Sequence, residues 1–266
     1  MLIDSTLHLH LGLGMLQGVF HAPDGQVIMR TLVRWLHFVG GITWIGLLYF
    51  FNVVNVPLQK GLDADTKKKV NPELLSRTLW YFRWGAVLTV LAGLTYYAMY
   101  ILGADVNNAN NLGHGHLNLW VILLAWLTYP IVLFIVEYLI VKKVGALTKD
   151  GRVYAIVFII LLVIVSWGLI KFFAAMLTVN GDSYASNKSF SIGLGGAYGI
   201  LMLLNVWGII WPNNKRAIAA LTGAGPAPPA EFARQAFLAS RTNAWLSLVM
   251  LFFMATSHGD WIIFGK

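Results

Sequence analysis

Histidine is the residue type best able to carry chemistry in this chain, because its 266 residues include seven histidines and no cysteine. Without cysteine the chain cannot form a disulfide, a thiolate metal site, an iron–sulfur cluster or a covalent attachment for a c-type haem. A metal or cofactor must therefore be held by histidine or methionine side chains. The histidines are His8, His10, His21, His37, His114, His116 and His258.

His37 lies within an apolar stretch that reads RWLHFVGGITWIG over residues 34–46. An ionisable side chain inside a membrane-spanning helix is costly unless it faces the interior of a bundle. On a helix Gly41 and Trp44 share the face of His37, and Gly40 lies beside it, which leaves space for a flat group. Haem b needs axial imidazoles and apolar walls, so we expect His37 to be an axial haem ligand. The alternative is a core histidine that is hydrogen-bonded to a neighbouring helix.

The second axial ligand is expected from another helix at a similar depth. His258 is the first candidate, and His114 or His116 is the next. Met254 shares a helix face with His258 and is a further possible ligand, although a buried methionine is more often simple packing. The H-G-H spacing of His114 and His116 also suits copper or zinc, as a weaker alternative to haem b.

Two cations complete the expected site. Arg34 lies one turn before His37, and Lys171 lies about two turns from the end of its own apolar stretch. We expect Arg34 and Lys171 to hold haem propionates or an anionic substrate. The alternative for Lys171 is that its long side chain reaches out to the membrane interface.

The elements that must position these residues are membrane-spanning helices. Apolar residues make up 58% of the chain and charged residues 11%, which is far from the average of soluble domains. About 20 apolar residues suffice to cross a bilayer. We therefore predict an all-α integral membrane protein with a single domain, residues 1–266, and an N-terminal segment, residues 1–30, on the outer face. The predicted helices cover residues 31–57, 78–102, 116–141, 153–177, 190–211 and 236–257.

Residues 7–20 are expected to form an interfacial helix or, as the less favoured alternative, a seventh span. The polar groups inside the apolar stretches are expected to form structural pairs in the cytoplasmic half of the bundle. These groups are Arg83, Glu137, Asn205 and Arg241.

Lysine and arginine are placed unevenly between the predicted helices. Most lie in the first, third and fifth connections, whereas the segments on the opposite side contain only Arg30, Lys188 and Lys266. Because basic loops stay in the cytoplasm, both termini are expected in the periplasm, with the protein spanning the bacterial inner membrane several times. The net charge of +8 follows from this placement, and no nucleic-acid partner is expected.

Two stretches carry a family resemblance. Residues 34–46 followed by LLYFFN, and residues 80–97 with the sequence WYFRWGAVLTVLAGLTYY, resemble the membrane domain of bacterial membrane-bound urate oxidases, the urate hydroxylase PuuD family. In that family a periplasmic cytochrome c domain follows the membrane domain, and the reaction oxidises urate to 5-hydroxyisourate. The resemblance implies redox chemistry and singles out His37 and Trp44.

The chain lacks the CxxCH motif of a cytochrome c, so the electron acceptor is expected to be a separate periplasmic cytochrome c. The first stretch also resembles, more faintly, the HxxxxxxW pattern of the four-helix protoporphyrinogen oxidase family and of copper-resistance membrane domains.

Two functional hypotheses remain open at this point. The first is a haem b membrane redox protein, either an oxidoreductase of the urate oxidase type or an electron-transfer subunit. The second is a non-catalytic accessory or assembly subunit of a larger respiratory or metal enzyme in the membrane.

Overall fold

The computed structural model describes residues 23–258 and 261–264. The N-terminal histidines His8, His10 and His21, together with the interfacial helix or seventh span expected at residues 7–20, lie outside this range.

Seven helices and one short hairpin make up the described structure. Six helices are long and apolar enough to cross a membrane, which confirms the predicted all-α membrane bundle. The long helices are α1 (Gly25–Gly61), α2 (Ala64–Leu112), α3 (Leu119–Lys143), α5 (Gly151–Met176), α6 (Asn187–Leu221) and α7 (Ala230–Thr256). The short elements are α4 (Gly145–Lys149), β1 (Thr178–Val179) and β2 (Asp182–Ser183), with the two strands antiparallel.

Side-chain caps decide where the helices begin, and they move several predicted boundaries. The third helix begins at Leu119 rather than at the predicted His116, because the Asn118 side chain accepts hydrogen bonds from the next backbone N–H groups. Asp63 caps α2 in the same way, so most of the predicted first connection is helical. At their C-terminal ends α5 and α7 each stop one residue before the predicted boundary.

Several helices are longer than a bilayer requires. The 49 residues of α2 span about 73 Å at 1.5 Å per residue, compared with a hydrocarbon core of about 30 Å. Three helices contain a π-helical segment, at Phe50–Asn55 in α1, Ala98–Leu102 in α2 and Val206–Ile210 in α6. Such segments rotate the following face of a helix relative to the preceding one.

Glycines bring α1 and α2 into backbone contact. A Cβ atom added at Gly40 would lie 2.8 Å from the backbone nitrogen of Thr89, and one at Gly85 would lie 3.3 Å from the Gly40 carbonyl oxygen. Small residues at a helix crossing allow such a close approach in membranes. At the centre of the bundle, α6 is buried along most of its membrane-spanning length.

The up-and-down order of the helices divides the bundle into two ends. The histidine end contains the start of α1, the loop between α2 and α3, the β-hairpin and the end of α7, and it holds all four described histidines. The lysine end contains the connections after α1, α3 and α6, where the basic residues concentrate.

Cysteine labelling measures which end faces the cytoplasm. The natural chain has no cysteine, so Lys68→Cys and Lys143→Cys each introduce one thiol at an exposed position of the lysine end. By the positive-inside rule, a membrane-impermeant maleimide should leave both unlabelled in intact cells and label both after lysis.

The control for this experiment is Ser183→Cys, an exposed position of the β-hairpin, which should react in intact cells. Labelling of the two lysine-end cysteines before lysis would show that the protein has the opposite orientation.

Candidate functional site

A cavity of about 720 Å³ opens within the bundle near the histidine end. Its lining comes from five helices, α1, α2, α3, α6 and α7, together with the turn that follows α7. Its volume falls in the range of small-molecule and cofactor sites. Of the residues singled out in the sequence, His37, His258, Arg34, Trp44 and Met254 line this cavity.

The imidazole of His37 is held by α2. Its Nδ1 atom lies 2.7 Å from the carbonyl oxygen of Thr89 and 3.1 Å from the Thr89 hydroxyl. The same hydroxyl donates to the His37 carbonyl oxygen over 2.8 Å. A backbone carbonyl can only accept, so Nδ1 carries the proton and donates it. In the neutral imidazole Nε2 is then the unprotonated nitrogen, which is the form required of a metal ligand.

Gly93 makes room for this imidazole. A Cβ atom at Gly93 would lie 2.7 Å from the Nδ1 atom of His37 and 2.8 Å from its Cε1 atom. Any side chain at this position would push the ring away from its place. Gly93 follows Thr89 by one helical turn, so a single face of α2 supplies both the hydrogen-bond acceptor and the space.

His258 follows the end of α7 and is oriented by its neighbour Ser257. The Ser257 hydroxyl donates to the Met254 carbonyl oxygen over 2.7 Å and lies 2.6 Å from the Nδ1 atom of His258. Because that hydroxyl has one hydrogen, Nδ1 of His258 donates to it, which again leaves Nε2 unprotonated. Partial burial, with the positive charges of Arg34 and Lys188, lowers the pKa of His258, so the imidazole is neutral near pH 7.

Positive charge gathers around the same end of the cavity. The guanidinium of Arg34, a lining residue, lies 5.6 Å from the ring centre of Phe38. One turn earlier, Arg30 packs against the rings of Tyr96 and Tyr100. These cations, with Lys188, favour the binding of an anionic group beside His258.

Aromatic and glycine residues form the deeper walls. Trp44 is 1% exposed, and its buried Nε1–H has no hydrogen-bond partner among the described residues. Trp126, in contrast, donates through Nε1 to the Gly193 carbonyl oxygen over 3.0 Å. Gly196 and Gly199 of α6 also line the cavity. The result is a largely apolar space.

Three residues of the predicted site lie elsewhere. His114 and His116 are exposed in the loop between α2 and α3 and do not line this cavity. Lys171 is exposed on α5, and its Nζ atom lies 5.0 Å from the ring centre of Trp167. That placement corresponds to the alternative of a side chain directed outward. Over residues 23–258 and 261–264, no group of three or more His, Cys, Asp or Glu side chains is arranged to hold a metal ion.

Several site residues were missed in the sequence. Thr89 and Gly93 lie in the stretch of residues 80–97. Their spacing of four residues places them one turn apart on the same face of a helix, and this spacing could have identified them. In the sequence, Arg30 and Lys188 lie outside the predicted helices and are not predicted to belong to the site. No local pattern linked them to His258, since that proximity arises from the packing of three helices.

The fold and the cavity define a class, namely a multi-pass helical membrane protein with a histidine-lined cavity near one end of the bundle. The family model described as urate oxidase N-terminal matches residues 60–265, and the chain belongs to that family. The match contains the stretch of residues 80–97, while residues 34–46 precede it. Comparison with the curated proteins and with the solved structures returned no match.

The role of Gly93 can be measured through stability. Gly93→Ala should displace the His37 imidazole and break its hydrogen bond to Thr89, at a cost of about 1 kcal/mol or more in the free energy of unfolding. Thermal unfolding in detergent should show a lower midpoint temperature than the wild-type protein.

Gly46→Ala is the matched control, because Gly46 lines the same cavity and a Cβ atom there meets nothing within 4 Å. That variant should unfold at or above the wild-type temperature, since alanine favours a helix over glycine. Equal midpoints for the two variants would contradict the assigned role of Gly93.

Proposed function

We propose that this protein is a haem b-binding redox protein of the bacterial inner membrane, of the urate oxidase type, that passes electrons to a separate periplasmic cytochrome c. The observation that carries the proposal is that His37 and His258, from different parts of the chain, line one cavity. Membership of the urate oxidase N-terminal family supports an oxidoreductase role.

The residues of the cavity fit a haem. Each of the two imidazoles is oriented through Nδ1 by a neighbouring oxygen, which leaves Nε2 for the iron. The walls are largely apolar, and glycines of three helices line the space. Arg34 lines the cavity and supplies a cation for propionates.

The roles of the residues follow from this fit. His37 and His258 would hold the iron, Arg34 would bind a propionate, and Trp44 and Trp126 would exclude water. The haem, when bound, would supply one-electron transfer. Copper and zinc fit less well, because His114 and His116 are apart from the cavity and copper and zinc sites generally use three or more protein ligands.

The orientation of the bundle in the membrane would place the cavity on the same side as the cytochrome c. With the lysine end in the cytoplasm, the histidine end would face the periplasm, where the cytochrome c acceptor is located. Urate is the substrate implied by the family, and the cations Arg30, Arg34 and Lys188 suit an anionic molecule approaching this end. Substrate oxidation at the cavity would then be followed by electron transfer to the acceptor.

An absorption spectrum of the purified protein tests the cofactor. The wild-type protein should show a b-type spectrum, and His37→Ala and His258→Ala should each lose haem or shift the Soret band, because each removes one axial ligand. Haem content per protein is measured as the pyridine haemochrome.

Two substitutions at residues outside the cavity serve as controls. His116→Ala and Lys171→Met should keep the wild-type haem content and Soret position, since neither residue lines the cavity. Lys171→Met should also leave the fold intact. A colourless wild-type protein would instead favour the accessory-subunit function, and a wild-type spectrum in His37→Ala would remove His37 from the site.

A further inference from the structure

A second polar site is buried in the half of the bundle nearer the lysine end, apart from the cavity. Its centre is Glu137 of α3, which is 0% exposed. The Tyr154 hydroxyl donates to Oε1 of Glu137 over 2.7 Å, and the Asn205 amide donates to Oε2 over 2.9 Å. Asn205 also donates to Oδ1 of Asn243 over 3.0 Å. Helices α3, α5, α6 and α7 therefore meet at one carboxyl group.

The groups that contact this carboxyl are all uncharged. Among the described residues, no lysine, arginine or histidine forms an ion pair with Glu137. The groups that face it are Tyr154 on α5, Asn205 on α6 and, behind these two, Thr242 and Asn243 on α7. A carboxylate buried in a membrane without a cation carries a large desolvation cost, which uptake of a proton removes.

The neighbours of Glu137 can serve both of its protonation states. The Tyr154 hydroxyl can either donate or accept a hydrogen bond. The Oδ1 atom of Asn205 is buried and has no partner among the described residues. When Oε1 is protonated, the Tyr154 hydroxyl can accept its hydrogen and donate in turn to the Thr242 hydroxyl, 3.3 Å away, while Asn205 keeps its bonds to Oε2 and Asn243. The site thus has a donor for the carboxylate and an acceptor for the acid.

The position of the site links the lysine end to the cavity. Glu137 lies six residues before the end of α3, or about 9 Å from it along the axis. In the other direction, Ser247 lies one turn beyond Asn243 on α7 and is 3.0 Å from the hydroxyl of Tyr49. Tyr49 lines the cavity. Polar groups therefore occur at successive depths between the lysine end and the cavity.

We propose that Glu137 is an internal proton-binding site that exchanges its proton with water. In the exchange the carboxylate takes up one proton to become the neutral acid and later releases it, with no change in electron count. The proposal is independent of the cofactor and its ligands. It gives the interior of the bundle a group that can bind and release one proton.

Infrared spectroscopy of the full-length protein in lipid nanodiscs tests the proposal. At neutral pH the wild-type spectrum should contain the carbonyl stretch of a protonated carboxylic acid, and Glu137→Gln should lose that band. Transfer into D2O should shift the wild-type band to lower wavenumber within minutes. Glu73→Gln, which removes an exposed glutamate paired with Arg77, should leave the band unchanged.

A second variant keeps the test informative if Glu137→Gln fails to fold. Tyr154→Phe removes the hydrogen bond to Oε1 and should move the acid band to higher wavenumber without abolishing it. Circular dichroism and size-exclusion chromatography show whether each variant is folded. Absence of the band in the wild-type protein, or its persistence in a folded Glu137→Gln protein, would overturn the assignment. A band that does not respond to D2O would identify Glu137 as an inert structural acid.

Discussion

The hydrogen bond from His37 to the carbonyl oxygen of Thr89 is the interaction on which the histidine site depends. A helix carbonyl is ordinarily occupied by its own helix and shielded by the residue one turn later. Here that residue is Gly93, so the second lone pair of the Thr89 oxygen is open to a neighbouring helix. The backbone contact at Gly40 and Gly85 brings α1 close enough to use it. Gly93 leaves the carbonyl oxygen of Thr89 accessible, and Gly40 and Gly85 allow the two helices to approach closely.

The cavity and the Glu137 network lie in two separate regions of the bundle. The cavity lies toward the histidine end, where imidazoles and arginines gather, and the Glu137 network lies toward the lysine end. Between them α6 and α7 pack mainly through apolar side chains, with the Tyr49 and Ser247 pair as a polar contact in that layer. A change of charge in one region alters the electrostatic potential in the other, because the medium between them has a low dielectric constant.

The extent to which this arrangement could be predicted differs from residue to residue. The six spans were predictable because apolar length is dictated by bilayer thickness. His37 could be identified because an ionisable side chain inside a membrane-spanning helix is costly unless it faces the interior of the bundle. The ends of the helices were harder to predict, because they depend on single capping side chains such as Asp63 and Asn118.

Contacts between helices were harder still to predict. Lys171 was expected at the site, but the rotation of α5 about its axis turns this residue outward. That rotation is set by packing against neighbours, which a single sequence does not encode locally. The pairing of Glu137 with Asn205 was predicted in kind, as a structural pair, but Tyr154 as its other partner was not.

The wall of the cavity between α1 and α7 has a consequence for the surroundings of the protein. Ile42 and Leu251 both line the cavity, yet they are 75% and 42% exposed. In a bilayer, exposed apolar side chains of a membrane-spanning helix lie against hydrocarbon, so acyl chains would cover this side of the cavity. The space available in the cavity would then depend on the acyl chains that cover this side as well as on the polypeptide.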